Sequence, residues 1–143
     1  MRAKPFLIGF LAVIVAAVAV SIYISRTVDK ADKSVTAVAS PDGKYKAVRI
    51  SLAGGGAAPF CFDTVAIFLA IYPDSFAESD KTYEVYGAPC AAPAERAALP
   101  KIEWLSNSAV KITYAANAAD TKKLRMQTLD ASKFVHVTFV ARQ

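Results

Sequence analysis

The 143-residue chain is short of the residues that chemistry most often needs. It has one histidine, two cysteines and one tryptophan. One His and two Cys spaced as Cys61 and Cys90 match no zinc-ligand spacing. A hydrolytic triad would have to use His136 with a serine and an acid such as Ser132 and Asp130, and no G-x-S-x-G elbow is present. On its strand His136 shares a face with Phe134 and Thr138 and reads as a surface or edge histidine. Glycine is scarce, and Gly54-Gly55-Gly56 lead to Pro59 and an apolar strand. A phosphate cradle would need an adjacent Lys-Ser/Thr and a helix N-terminus instead. Calcium needs clustered carboxylates with a loop glycine. Asp74, Glu78 and Asp80 lack that spacing, so PDSFAESD reads as a solvated loop. No cofactor and no metal are expected.

Charge of either sign is absent from Phe6 to Ile24, FLIGFLAVIVAAVAVSIYI. At helical rise this run is about 28 Å long, close to a bilayer's hydrocarbon core. It is longer than a signal-peptide core. Ala17-Val18-Ala19 lies inside it, Ala37-Val38-Ala39 lies well past it, and no lipid-accepting Cys follows. The expectation is an uncleaved anchor in residues 1–24 contacting lipid through residues 6–24, with a cleaved leader as the alternative. Residues 25–34 (SRTVDKADKS) then form a polar stalk and residues 35–143 one small domain. Positive residues flanking the run are nearly balanced, two before and three after, so orientation rests on other features. Signal-like segments usually insert with a cytoplasmic N-terminus, and an even cysteine count suits an oxidising compartment.

The formal net charge of +5 is concentrated near the anchor. From Ser34 onward 12 Lys/Arg stand against 10 Asp/Glu, an ordinary solvated surface that gives no case for nucleic acid. The local cluster Lys122, Lys123 and Arg125 lacks the interleaved aromatics of single-strand binders and reads as a solvated hairpin face. A Cys61–Cys90 bridge would close a loop of about 30 residues and contribute roughly 3–4 kcal/mol. The competing reading makes Cys61, between Phe60 and Phe62, a small buried hydrophobe.

The domain reads as strands. Val35–Ala39 is short and apolar. Ser40-Pro41-Asp42-Gly43 is a turn in which Pro41 pre-sets φ and Gly43 tolerates positive φ. Lys44–Leu52 alternates, and Phe60–Tyr72 is the most apolar stretch outside the anchor. Thr82–Tyr86, Lys101–Leu105, Ala109–Tyr114, Leu124–Leu129 and Lys133–Ala141 follow, with a proline-punctuated loop from Ala88 to Pro100. Strands at this spacing, joined by turn signals, predict an all-β domain, a mainly antiparallel β-sandwich or barrel-like fold behind one N-terminal transmembrane helix. The order of anchor, SPDGKYKAVRI (Ser40–Ile50), GGGAAPF (Gly54–Phe60), a long apolar strand and IEWLSNSAVKITY (Ile102–Tyr114) resembles a loose group of small bacterial envelope proteins. Their domain has no assigned function, and the shared motifs serve turns and packing.

These readings predict a non-catalytic interaction module at the periplasmic face of the bacterial inner membrane, with an envelope protein as partner and an immunity-like role. The Gly54–Gly56 loop, and Tyr83 and Tyr86 flanking Glu84, are the candidate partner contacts. A structural or assembly factor acting through its anchor is the rival, and a hydrolase a more distant one.

Overall fold

In a computed structural model, residues 13–21, 31–55, 59–91, 95–96, 98–116 and 124–142 are described. Residues 13–21 are helical and exposed. The remainder of the Phe6–Ile24 run lies outside the described residues. Among those described, no helix is long and apolar enough to cross a membrane.

From Asp32 the regular structure is mainly strand. The strands are β1 (Asp32–Ala39), β2 (Tyr45–Gly54), β3 (Phe60–Leu69), β4 (Glu84–Pro89), β5 (Lys101–Ser106), β6 (Ala109–Ala115), β7 (Arg125–Met126) and β8 (His136–Arg142). They form a five-stranded sheet in the order β1-β2-β3-β4-β7 and a three-stranded sheet in the order β5-β6-β8. All pairs are antiparallel except β6 with β8, which run parallel in register from Ala109↔His136 to Ala115↔Arg142. That pairing is the parallel exception in a mainly antiparallel fold. The chain can make it because a long crossover separates the two strands, as parallel neighbours require.

The two sheets nearly close on each other. On one side, Gln127 N–H donates to Val85 O, and Val137 N–H then donates to Thr128 O at 2.9 Å. The segment from β7 to Leu129 thus joins β4 to β8, with Leu129 bridging His136. On the other side, Trp104 Nε1–H on β5 donates to Val38 O on β1 at 2.9 Å. The result is a small β-domain between sandwich and barrel. The core lies between the sheets, where Ala47, Val65, Ile67 and Tyr86 meet Val110, Ile112, Val135 and Val137. This burial follows from the period of two that puts alternate residues of each strand on one face.

The β1–β2 hairpin is set by the SPDG turn. Gly43 N–H donates to Ser40 O, Ser40 Oγ bonds Asp42, and Gly43 takes φ 71°. These bonds place Ala39 opposite Lys46. The hydroxyl of Ser40 also holds the Asp42 carboxyl below its ordinary pKa. Cys61 and Cys90 form a disulfide between the start of β3 and the end of β4.

Four local expectations are corrected. The long apolar strand stops at Leu69, before Tyr72, because a turn precedes Pro73. PDSFAESD is no open loop. Phe76–Ser79 forms a helical turn that lays Phe76 and Ala77 over Phe68, while Asp74 pairs with Lys46, Glu78 with Lys33, and Asp80 accepts from Thr82 N–H. Lys81–Tyr83 is a 3-10 turn, so β4 begins only at Glu84. Between Leu124 and Leu129 just Arg125 and Met126 are strand, because the segment turns from β4 toward β8.

Candidate interaction surface

Tyr83 and Tyr86 do not form one binding face. A bulge between Val65 and Ala66 shifts the register against β4. Tyr86 is 2% exposed in the inter-sheet core against Tyr114 and Phe139. Burial, with Asp63 nearby, pushes its hydroxyl well above the usual tyrosine pKa. Tyr83 packs on the outer face of the same sheet, against Phe68 and Phe76. Glu84 between them is buried, with its carboxylate 3.1 Å from Arg125 and 3.4 Å from Lys81, in ion-pair contact without hydrogen-bond geometry. Arg125 therefore balances Glu84 instead of belonging to a free basic face, and Lys122 and Lys123 lie outside the described residues. Gly54 belongs to β2 opposite Phe60, Gly55 takes φ 94°, and Gly56 lies outside the described residues.

Ser132, Asp130 and His136 are near in sequence but not arranged as a relay. Asp130 is buried and accepts from Ser132 N–H, Ser132 Oγ, Phe134 N–H and Val135 N–H. Its carboxylate is spent on holding the 130–135 turn. His136 is exposed, bonds Ser108 O through its main-chain N–H, and directs no ring nitrogen at either residue.

The surface that stands out is apolar. Ile71 is 83% exposed, Phe134 50%, and Leu69 and Tyr72 40% each. Tyr45 stacks on Phe134 at 5.4 Å between ring centroids, and Tyr72 stacks on Phe76 at 4.7 Å. A shallow depression bounded by Tyr45, Leu69, Tyr72 and Ser132 joins the two stacks. Single exposed side chains such as Leu105 are ordinary on a protein surface, whereas a contiguous aromatic group rimmed by polar residues marks a contact site. Here Lys46, Asp74 and Ser132 supply that rim. Its position is defined by the hairpins. β1 enters at Asp32, opposite Ala53 near the disulfide, whereas Tyr45 and Leu69 pair at the other end of β2 and β3. Eight residue steps of strand separate Ala53 from Tyr45, roughly 26 Å. The patch thus lies at the end of the domain remote from its N-terminal entry.

The entry end is polar. Beside β1 lies a groove of about 640 Å³, lined by Ser34, Thr36, Arg49, Ser51 and Arg96 among others. Beneath it Asp63 is 1% exposed. Ser51 Oγ donates to Asp63 Oδ1, Arg49 stands 3.5 Å from the same oxygen, and Oδ2 is buried without a hydrogen-bond partner. Burial raises the Asp63 pKa, partly offset by Ser51 and Arg49. Arg49 also donates to Arg96 O at 2.8 Å and to Pro100 O at 3.5 Å. It is a brace that holds the segment before β5 onto the first sheet.

The aromatic patch was missed in the sequence although two signals were present. Phe134 falls on the polar face of the expected Lys133–Ala141 strand, which in the structure begins only at His136 because Asp130 holds 132–135 in a turn, and Ile71-Tyr72 continue an apolar run past the point where the strand can go on. Asp63, the one charge in FCFDTVAIFL, signalled the buried pair. No known protein family, curated protein or solved structure matches this chain.

Proposed function

We propose that this protein is a membrane-anchored, exported, non-catalytic interaction module of the bacterial envelope. It holds its β-domain in the periplasm and presents the Tyr45–Leu69–Ile71–Tyr72–Phe134 end to an envelope protein. The observation that carries this reading is the exposed aromatic patch at the end remote from Asp32. A chain tethered by residues 6–24 would point that end away from the lipid. Aromatic side chains are enriched in the buried centres of protein interfaces, where they supply large contact area with little rotamer entropy to lose. The length and hydropathy of Phe6–Ile24 support the anchor. The Cys61–Cys90 bridge supports an oxidising compartment. An immunity-like role, in which the domain blocks a secreted toxin, fits a tethered module with a distal contact face.

The test is capture from envelope extracts by the tagged full chain, beside an Ile71→Asp, Phe134→Asp variant. A partner held by the wild-type chain and lost by the variant is expected. Equal capture by both would sink the assignment of the patch, and no capture by either would sink the module reading itself.

A further inference from the structure

The free edge of β1 is a second recognition element, and its direction can be read from two hydrogen bonds. Ser40 N–H donates to Tyr45 O, and Ala70 N–H donates to Lys44 O. With the observed register, Tyr45, Ala47, Arg49, Ser51 and Ala53 therefore turn their main-chain groups toward β1. Their partners Val38, Thr36, Ser34 and Asp32 face β2, so Lys33, Val35 and Ala37 direct N–H and C=O outward. Among the described residues no strand pairs with this edge. β5 packs near β1, and Trp104 hydrogen-bonds it at Val38.

Natural sheets blunt such edges with proline, bulges or lysine. β1 contains no proline and pairs with β2 without a register shift. Its one lysine, Lys33, is drawn onto the outer face by Glu78. All its residues but Val38 are exposed. Next to the edge, on the inner face, the polar groove offers the Ser34 and Thr36 side chains and the guanidinium of Arg96, with the Asp32 carboxylate at its N-terminal end. Arg49 is held by Asp63 and two carbonyls, whereas among the described residues the Arg96 guanidinium makes no hydrogen bond or close ion pair, its charge reaching Asp63 only at longer range. A strand added here would place alternate side chains over this groove.

Resting on the interaction-module reading, we propose that the β1 edge takes up an extended acidic peptide segment of a partner protein. That segment adds to the sheet through Lys33, Val35 and Ala37 and sets a carboxylate against Arg96. Strand addition draws affinity from main-chain hydrogen bonds and specificity from the side chains that alternate into neighbouring pockets.

The probe is a phage-displayed library of random short peptides selected on the full chain in nanodiscs. Val35→Pro removes an outward donor and leaves the β2 ladder intact, and its unfolding midpoint is checked against wild type. Arg96→Glu reverses an exposed charge that also acts on buried Asp63, so its unfolding midpoint is checked in the same way. The expected result is selection of β-branched peptides carrying Asp or Glu, with binding weakened about tenfold by Val35→Pro, as loss of one well-made hydrogen bond gives. Arg96→Glu should shift selection toward Lys and Arg. No binders, binders indifferent to Val35→Pro, or self-association of the chain through β1 would each overturn the proposal. If envelope capture depends on Ile71 and Phe134 while no edge-dependent peptide appears, the module reading stands and the edge proposal falls. Edge-dependent peptides without envelope capture support the edge and count against the distal patch.

Discussion

Replacing Arg49 with methionine should be among the most damaging single changes to this domain outside its hydrophobic core. Asp63 is 1% exposed and meets one hydroxyl and one guanidinium, with Oδ2 already unpartnered. Arg49→Met keeps most of the aliphatic volume but removes the cation in contact with that carboxylate, leaving only the longer-range charge of Arg96. It also frees the carbonyls of Arg96 and Pro100. Removing one member of a buried ion pair typically costs about 3–5 kcal/mol, far more than the net worth of the pair. Asp63→Asn keeps an acceptor for Ser51 and leaves Arg49 with its two carbonyls, so it should cost about 1 kcal/mol or less near neutrality. The pH dependence separates the two. Desolvation raises the Asp63 pKa in the folded state. Between the unfolded value near 3.9 and the raised folded value, the native state binds more protons, so the carboxylate's contribution to stability falls as pH rises. Asp63→Asn should therefore gain on wild type as pH climbs above about 4, and Arg49→Met should lose ground over the same window. Urea unfolding of the full chain across that range checks both. A loss below about 1 kcal/mol for Arg49→Met, or a loss of equal size at pH 4 and pH 7, would refute the buried-pair argument.

Other outcomes follow from single contacts. Cys61→Ser with Cys90→Ser should lower stability by about 3–4 kcal/mol through the 29-residue separation they close, seen as a lower urea midpoint matched by reduced wild type. In intact cells both thiols should label only after reduction; free labelling would contradict export. Gly87→Ala should destabilise by about 1–3 kcal/mol, because its Cβ would come 2.7 Å from Glu84 Oε1, which burial and Arg125 keep from moving aside; an unchanged melting midpoint would contradict this. Trp104→Phe should cost about 1 kcal/mol for the lost bond to Val38 O and increase amide exchange in β1, with no change in exchange as the contrary result.

The strands were legible from alternation or from continuous apolar runs: β6 and β8 bury one face each, whereas β3 and β4 bury both. Val48, Ile50, Val110, Ile112, Val135 and Val137 alternate with polar neighbours, and all six are buried. The SPDG turn was legible because its φ requirement selects its residues. The parallel β6–β8 pair was not legible, since alternation gives a strand's faces but not its neighbour or direction. Tyr83 and Tyr86 misled for a related reason. A spacing of three mixes faces once a 3-10 turn and a bulge intervene. The aromatic patch is assembled from the start of β2, the end of β3 and the 130–135 turn. Only the tertiary fold brings those segments together, although Phe134 on a polar face hinted at it.

The claim at the centre of this account is that the domain's remote aromatic end meets another protein in the envelope. A photo-crosslinking amino acid placed at Ile71 in living cells tests it most directly, with the same group at exposed Leu105 on β5 as the control. The account predicts one discrete crosslinked species from position 71 and none from position 105. Crosslinks absent from position 71, or equally abundant at both positions, would contradict it.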